Sequence, residues 1–214
     1  GVLDHVGPGP VRVKMHLKQR YQYWPIWNVI GRIQGTKYPD EWVIVGNHRD
    51  AWVYGAVDPN SGTAAMLESV HGVGELLKQG WKPDRTILFA SWDAEEEGLI
   101  GSTEWGEEHE KELARAVGYF NIDVAVTGPN FSASAVPSLK GFVRDVTRQV
   151  PSPKGGAVYD VWKERMKDAS RQNERRTPNA RVDGDVPVGD LGSGSDYSVF
   201  IQHLGVPSAD MTSS

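Results

Sequence analysis

Apolar and polar residues alternate with period two from Val11 to Leu17, where Val11, Val13, Met15 and Leu17 interleave with Arg12, Lys14 and His16, the pattern of a half-buried strand. Two compact runs of β-branched or aromatic residues follow, Asn28 to Gln34 and Trp42 to Gly46. The turn-like stretch Gly35-Thr36-Lys37-Tyr38-Pro39-Asp40 separates them, and each run predicts a strand. The period then changes. From Ser61 to Lys78, Ala65, Leu67, Val70, Val73, Leu76 and Leu77 recur at mostly helical spacing, with Asn60 or Ser61 placed to cap the start and Gly80 beyond the end. Arg85 to Trp92 reads as a fully buried strand, and strand–helix–strand at this length implies a parallel crossover.

Gly101 to Ala116 predicts a second helix, leading into Tyr119 to Asp123 as another strand. Leu139 to Val150 and Val158 to Lys167 read as helices joined by the loop Pro151 to Gly156. Arg171 to Asp190 has almost no apolar periodicity and reads as a long loop, and Asp196 to Leu204 predicts a short helix capped near Ser195. There is no internal repeat and no domain boundary, so one α/β domain is expected.

Composition narrows the function. Apolar residues make up 39% and charged residues 24% of 214 positions, enough to bury one core. The net charge of −5 is spread along the chain, so no basic face for nucleic acid is evident. With zero cysteines, any metal must be held by His, Asp and Glu. No apolar run approaches the ~20 residues of a membrane span, and Gly1 to Pro10 lacks a signal-peptide pattern, so the chain reads as soluble and not membrane-inserted. The opening Gly-Val-Leu-Asp suggests a processed or excised segment, and the sequon Asn130-Phe131-Ser132 fits a secretory parent.

Four segments carry candidate chemistry. His48-Arg49-Asp50 follows a strand, where open α/β sheets place ligands; His48 can bind a metal while Asp50 orients its other ring nitrogen. Asp58, in Asp58-Pro59-Asn60-Ser61-Gly62, stands at the entrance to the first helix, where it can cap the helix or bridge two cations. Glu95, Glu96 and Glu97 follow a buried strand directly; their mutual repulsion would be relieved by a cation, with one Glu as ligand and its neighbour as general base. Asp123 closes a strand. Each has a plainer reading as a turn, cap or strand end, but His48, Asp58, Glu96 and Asp123 come from successive edges of one predicted sheet and suit zinc together.

The order His-x-Asp, Asp-Pro-x-Ser-Gly, Glu-Glu-x-Gly-Leu-x-Gly-Ser and then Asp resembles the co-catalytic zinc aminopeptidases and carboxypeptidases. Gly46 to Trp52, Thr86 to Glu96 and Leu191 to Asp196 are similar in particular to the glutamate carboxypeptidase II family. The resemblance implies an α/β fold with a mixed, mainly parallel twisted sheet and helices on both faces. It implies two zinc ions: His48 and Asp123 on one, Asp58 bridging, Glu96 on the other, with Glu95 as general base and Asp50 orienting His48. It also implies a substrate-binding segment at Ser193, Gly194 and Ser195, and a part of a structural calcium site at Glu104 and Glu107. A turn that must aim Asp58 at two metals makes the Asp58–Pro59 bond a candidate for the cis form, which proline brings within about 0.5–1 kcal/mol of trans.

Three departures qualify what the resemblance implies. The family's last zinc ligand, a His in a Tyr-His-Ser-like segment, does not occur before Ser214, and His109 and His203 do not occupy that motif. The protease-associated and helical dimerisation domains are not in these residues, so the chain reads as part of a catalytic domain whose parent is a candidate homodimer, dimerisation in the family depending largely on the helical domain, and is expected in the secretory pathway, a vacuole or anchored to a membrane. Ser195 replaces the Asn of glutamate-specific members, and Pro207 to Asp210 lacks their arginines. The expected function is that of an exopeptidase core acting on peptides, with the chain alone inactive. The rival class is a non-catalytic, transferrin-receptor-like binding ectodomain, against which the retained His48, Asp58, Glu95, Glu96 and Asp123 argue.

Overall fold

A computed structural model describes residues 12, 14–174 and 184–214. Strand β1 (Val29–Ile33) is followed by β2 (Tyr38–His48), helix α1 (Asn60–Lys78), β3 (Arg85–Trp92), α2 (Ile100–Glu108), α3 (Glu110–Leu113) and β4 (Gly118–Asn121). Then come β5 (Phe131–Ala135), α4 (Pro137–Gln149), α5 (Val158–Glu174), α6 (Tyr197–Gln202) and β6 (Ser208–Ser213). The six strands form one sheet in the order β1-β3-β2-β4-β6-β5. Its four inner strands are mutually parallel, while β1 and β5 run antiparallel at the edges. This is the mixed, mainly parallel α/β sheet expected.

Alternation along β3 divides the core. Leu88, Ala90 and Trp92 face a cluster with Leu113, Val199 and Phe200, so α2, α3 and α6 cover that side. Phe89 faces the other side, with Met66 of α1 and Ile122. Val143 of α4 and Tyr159 and Trp162 of α5 pack on β5 and β6 through Ala133, Ala135 and Ala209. Helices therefore lie on both faces, the arrangement that buries a parallel sheet.

The local reading is corrected in several places. Residues 12 and 14–28 contain no strand, and Met15 and Leu17 are exposed; Val11 and Val13 lie outside the described residues. Alternation makes a strand only where a partner buries one face, and β1, the nearest edge, pairs with β3 alone among the described strands. Strand β2 begins at Tyr38, inside the expected turn. The helix expected from Gly101 to Ala116 divides at His109, whose Nδ1–H donates to the Trp105 carbonyl at 2.9 Å while its ring stacks on that indole. Helix α5 runs on to Glu174, into the expected loop, of which residues 175–183 lie outside the described residues. Neither Asn60 nor Ser61 caps α1, and Ser195 does not cap α6 by its side chain. Strands β5 and β6 went unforeseen.

Candidate metal centre

Because β2, β3 and β4 are parallel, their carboxyl ends coincide, and the loops leaving them share one edge of the sheet. His48 is the last residue of β2 and pairs in register with Trp92, the last of β3. Asp123 follows β4 by two residues. Asp58 precedes α1, reached through the loop 49–57, and the Asp58–Pro59 peptide bond is cis, matching the expectation for this turn.

The first turn of α1 is stitched to the sheet edge. Ser61 Oγ donates to the Val57 carbonyl at 2.6 Å and accepts the Ala125 N–H at 3.1 Å, while Thr63 Oγ1 donates to Asn47 Oδ1 at 2.6 Å. Gly62 makes the approach possible: a Cβ there would lie 1.8 Å from the Ile122 carbonyl oxygen and 2.2 Å from that of Asp123.

These constraints bring His48, Asp58 and Asp123 together, with one ligand atom of each inside a mutual 4.8 Å. His48 Nε2 is 2.9 Å from Asp123 Oδ1 and 3.1 Å from Asp58 Oδ1. His48 is almost wholly buried, its side chain 1% exposed, whereas that of Asp58 is 53% exposed, so the cluster opens to solvent on one side. One imidazole nitrogen and two carboxylate oxygens converging beside an open position make a donor set that fits zinc.

Glu95 and Glu96 are held differently from those three. Their backbone N–H groups donate to Asp50 Oδ1 at 3.1 Å and Oδ2 at 3.0 Å. Glu95 Oε2 stands 3.9 Å from His48 Nε2, whereas Glu96 is outside the three-residue cluster. The residue before them, Ala94, has φ 56°, a left-handed conformation uncommon for a side-chain-bearing residue, and it turns the chain sharply out of β3. His48 Nδ1 meets the backbone carbonyl of Asp50 at 3.0 Å, closer than its carboxylate at 3.6 Å, so the main chain of Asp50 is the nearer partner of the ring.

Ser195, expected at the substrate, is instead buried and donates through Oγ to Asp123 Oδ2 at 2.6 Å. Ser193 and Gly194 are exposed just before it. Glu104 and Glu107 are exposed on α2, and among the described residues no third carboxylate or imidazole joins them as a metal group. His109 lies against Trp105 and His203 closes α6, both apart from the three-residue cluster.

Electrostatics mark the same place. Burial works to lower His48, but the hydrogen bond and charge of Asp123, with Glu95 and Asp196 beyond, raise it to about 9. Burial would raise Asp123, yet its bonds from His48 and Ser195 hold it below the ordinary carboxyl value. Glu95 is pushed up to about 7 by burial, opposed by His48 and assisted by Asp196. Asp196, buried with neither oxygen hydrogen-bonded among the described residues, is also raised by burial to about 7; the nearby Ser102 hydroxyl turns to the Leu99 carbonyl. Sequence reasoning missed Asp196, Asn121 and Asp210. A signal for the second was present, since Tyr119, Asn121 and Asp123 are spaced to share one face of a strand and its extension.

Comparison with known proteins agrees with this geometry. Over 210 residues the chain is 45% identical to "Probable glutamate carboxypeptidase LAMP1" of Arabidopsis thaliana, covering 97% of this chain and 28% of that protein. It is 43% identical over 210 residues to "Aminopeptidase NAALADL1" of Mus musculus, covering 95% of this chain and 27% of that protein. The chain thus spans little more than a quarter of the length of these relatives. The zinc aminopeptidase BSAP of Bacillus subtilis superposes with a TM-score of 0.54 at 26% identity, over 87% of this chain and 39% of that one. Among the described residues no helix is long and apolar enough to cross a membrane. The profile of Peptidase family M28 matches residues 28–214, a span that contains every residue of the cluster, and the chain belongs to that family.

Proposed function

We propose that the chain is the metal-binding core of an exopeptidase that hydrolyses terminal peptide bonds, working as part of a longer polypeptide such as its relatives are. The observation that carries this reading is the convergence of His48, Asp58 and Asp123 with Glu95 held 3.9 Å from the same imidazole nitrogen. A binding ectodomain would have no use for that convergence.

His48 and Asp123 would hold one zinc ion, Asp58 would be shared with a second, and Glu96 would serve the second. Zinc supplies a Lewis acid toward the scissile carbonyl and lowers the pKa of water. Glu95 accepts the proton of the attacking water and returns it to the departing amine, roles suited to a carboxyl brought to about 7 by burial. Asp50 holds the backbone beneath Glu95 and Glu96, fixing the base relative to His48. Trp52, Val53 and Tyr54 are exposed on the loop between His48 and Asp58 and offer apolar contacts to a bound peptide.

The test pairs zinc titration of the chain with hydrolysis, by the longer polypeptide, of peptides blocked at one end or the other. Expected are saturable zinc binding and release of terminal residues that stops with a chelator and returns with zinc. A chain that binds no zinc would sink the reading, and the blocked peptides identify which terminus is attacked.

A further inference from the structure

We infer that Asn121 is a positioning residue for the metal site, acting through Ser195 to fix which oxygen of Asp123 faces the metal. The inference rests on the reading of Asp123 as a ligand. It follows from the direction of a chain of buried hydrogen bonds. The indole of Trp92 can only donate, and its Nε1–H goes to Tyr119 Oη at 3.0 Å. Tyr119 therefore accepts there and spends its own proton on Asn121 Oδ1 at 2.9 Å. That sets the amide of Asn121 in one orientation, its Nδ2 donating to Asp210 Oδ1 and to Ser195 Oγ, each at 2.9 Å.

With Ser195 Oγ already accepting from an amide, its hydroxyl proton is free for Asp123 Oδ2, and the 2.6 Å separation matches a charge-assisted bond to a carboxylate. Asp123 Oδ2 is thus occupied, and Oδ1 is the oxygen left facing His48 Nε2 at 2.9 Å. The relay makes Asp123 a one-oxygen ligand with a fixed lone pair. Trp92, Tyr119 and Asn121 are fully buried, so no water competes for these bonds. Gly46 is part of the device: a Cβ there would lie 2.2 Å from Tyr119 Oη and 2.6 Å from Trp92 Nε1, closing the gap in which they meet.

The experiment measures zinc dissociation constants by competition with a chromophoric chelator, at fixed pH, for wild type, Ser195→Ala, Ser195→Thr and Asn121→Asp, with the fold of each checked by circular dichroism. Ser195→Ala is expected to weaken zinc roughly 10–100-fold, the usual cost of losing a group that orients a ligand. Ser195→Thr keeps the hydroxyl and should bind as wild type does. Asn121→Asp presents acceptors to Ser195 and draws its proton away from Asp123, so it should weaken zinc as the alanine does. A folded Ser195→Ala chain with wild-type zinc affinity overturns the relay, even where Asn121→Asp fails to fold. A wild-type chain that binds no zinc overturns the reading of the site, and the relay with it.

Discussion

The carboxylate of Asp50 binds Glu95 from behind: one oxygen accepts the Glu95 N–H at 3.1 Å and the other that of Glu96 at 3.0 Å. With its own carbonyl 3.0 Å from His48 Nδ1, Asp50 links the loop after β2 to the loop after β3. Removing it strands two amide donors in a partly buried turn. Asp50→Ala is expected to cost about 3 kcal/mol, two bonds at the low end of the ~1.5–3 kcal/mol that each bond to a charged acceptor contributes, because the turn is only partly buried. Asp50→Asn, keeping one acceptor oxygen, should cost less. Urea denaturation of the metal-free chain measures both, and an Asp50→Ala chain as stable as wild type would refute the linking role.

Without metal, the cluster makes stability depend on pH in one direction. His48 is raised from 6.5 to about 9, so its contribution is complete below about 6.5 and is lost as pH rises through 9. Glu95 and Asp196, both raised to about 7, favour the fold when protonated and lose that contribution as pH climbs to 7. Asp123, held low, acts oppositely, but only in acid, where protonating it breaks its bonds to His48 and Ser195. The Tm of the metal-free chain should therefore fall between about pH 6.5 and 9. In the proposed site zinc would take the place of the His48 proton, so saturating zinc should shrink the fall. A Tm that rises across this range in the metal-free chain would contradict the assignment.

The central sheet and its edge were legible because their signals are strong and local. Arg85 to Trp92 is apolar enough to be read as buried from composition alone, and the structure gives β3 the same bounds. His48 and Asp123 were legible as strand ends. Strand β6 was not, because in Ser-Ala-Asp-Met-Thr-Ser the alternation is carried by Ala209 and Met211 alone and Thr212 is its one β-branched residue; neighbouring elements bury Ser208 and Ala209, whose small size suits close packing under α4. The role of Ser195 was hidden for another reason. A serine before a helix reads as a cap, and only the packing of the segment before α6 against the end of β4 reveals that Asn121 and Asp123 lie within its reach. Asp196 gave no signal, since an acidic residue at a helix start is ordinary until its burial is known.

Gly62 sets how closely α1 can approach the end of β4. A methyl group there would collide with the carbonyls of Ile122 and Asp123, which are backbone and cannot swing aside. Gly62→Ala must push the helix outward, and Asp58 with it. The expected cost is about 1–3 kcal/mol of overpacking strain, accompanied by weaker zinc binding because Asp58 withdraws from His48. Gly72, in the same helix with no atoms near its Cβ position, supplies the control: Gly72→Ala should be neutral or stabilising through helix propensity. Equal effects at the two positions would show that the contact at Gly62 does not govern the site.

In the proposed arrangement the two zinc positions would be unequal in the residues this chain supplies. His48, Asp58 and Asp123, which converge, would with one water make four donors for the first, whereas the second would have Asp58 and Glu96 alone, too few to close a tetrahedral site. The 214-residue chain is therefore expected to retain one zinc after saturation and desalting, and to hydrolyse peptides little or not at all. Glu95 should not contribute to that retention, because its proposed role lies in proton transfer. In the longer polypeptide, Glu95→Gln should leave zinc content and KM near wild type while lowering kcat by about 10²–10⁴-fold, the usual contribution of a general base. The amide preserves shape and the backbone bonds to Asp50 but cannot accept the proton of water at neutral pH. Two tightly held zinc ions in the 214-residue chain would show that some other residue completes the second site. An unchanged kcat after Glu95→Gln would pass the general-base role to another group, for which Asp196, buried and raised to about 7, would be the next to substitute.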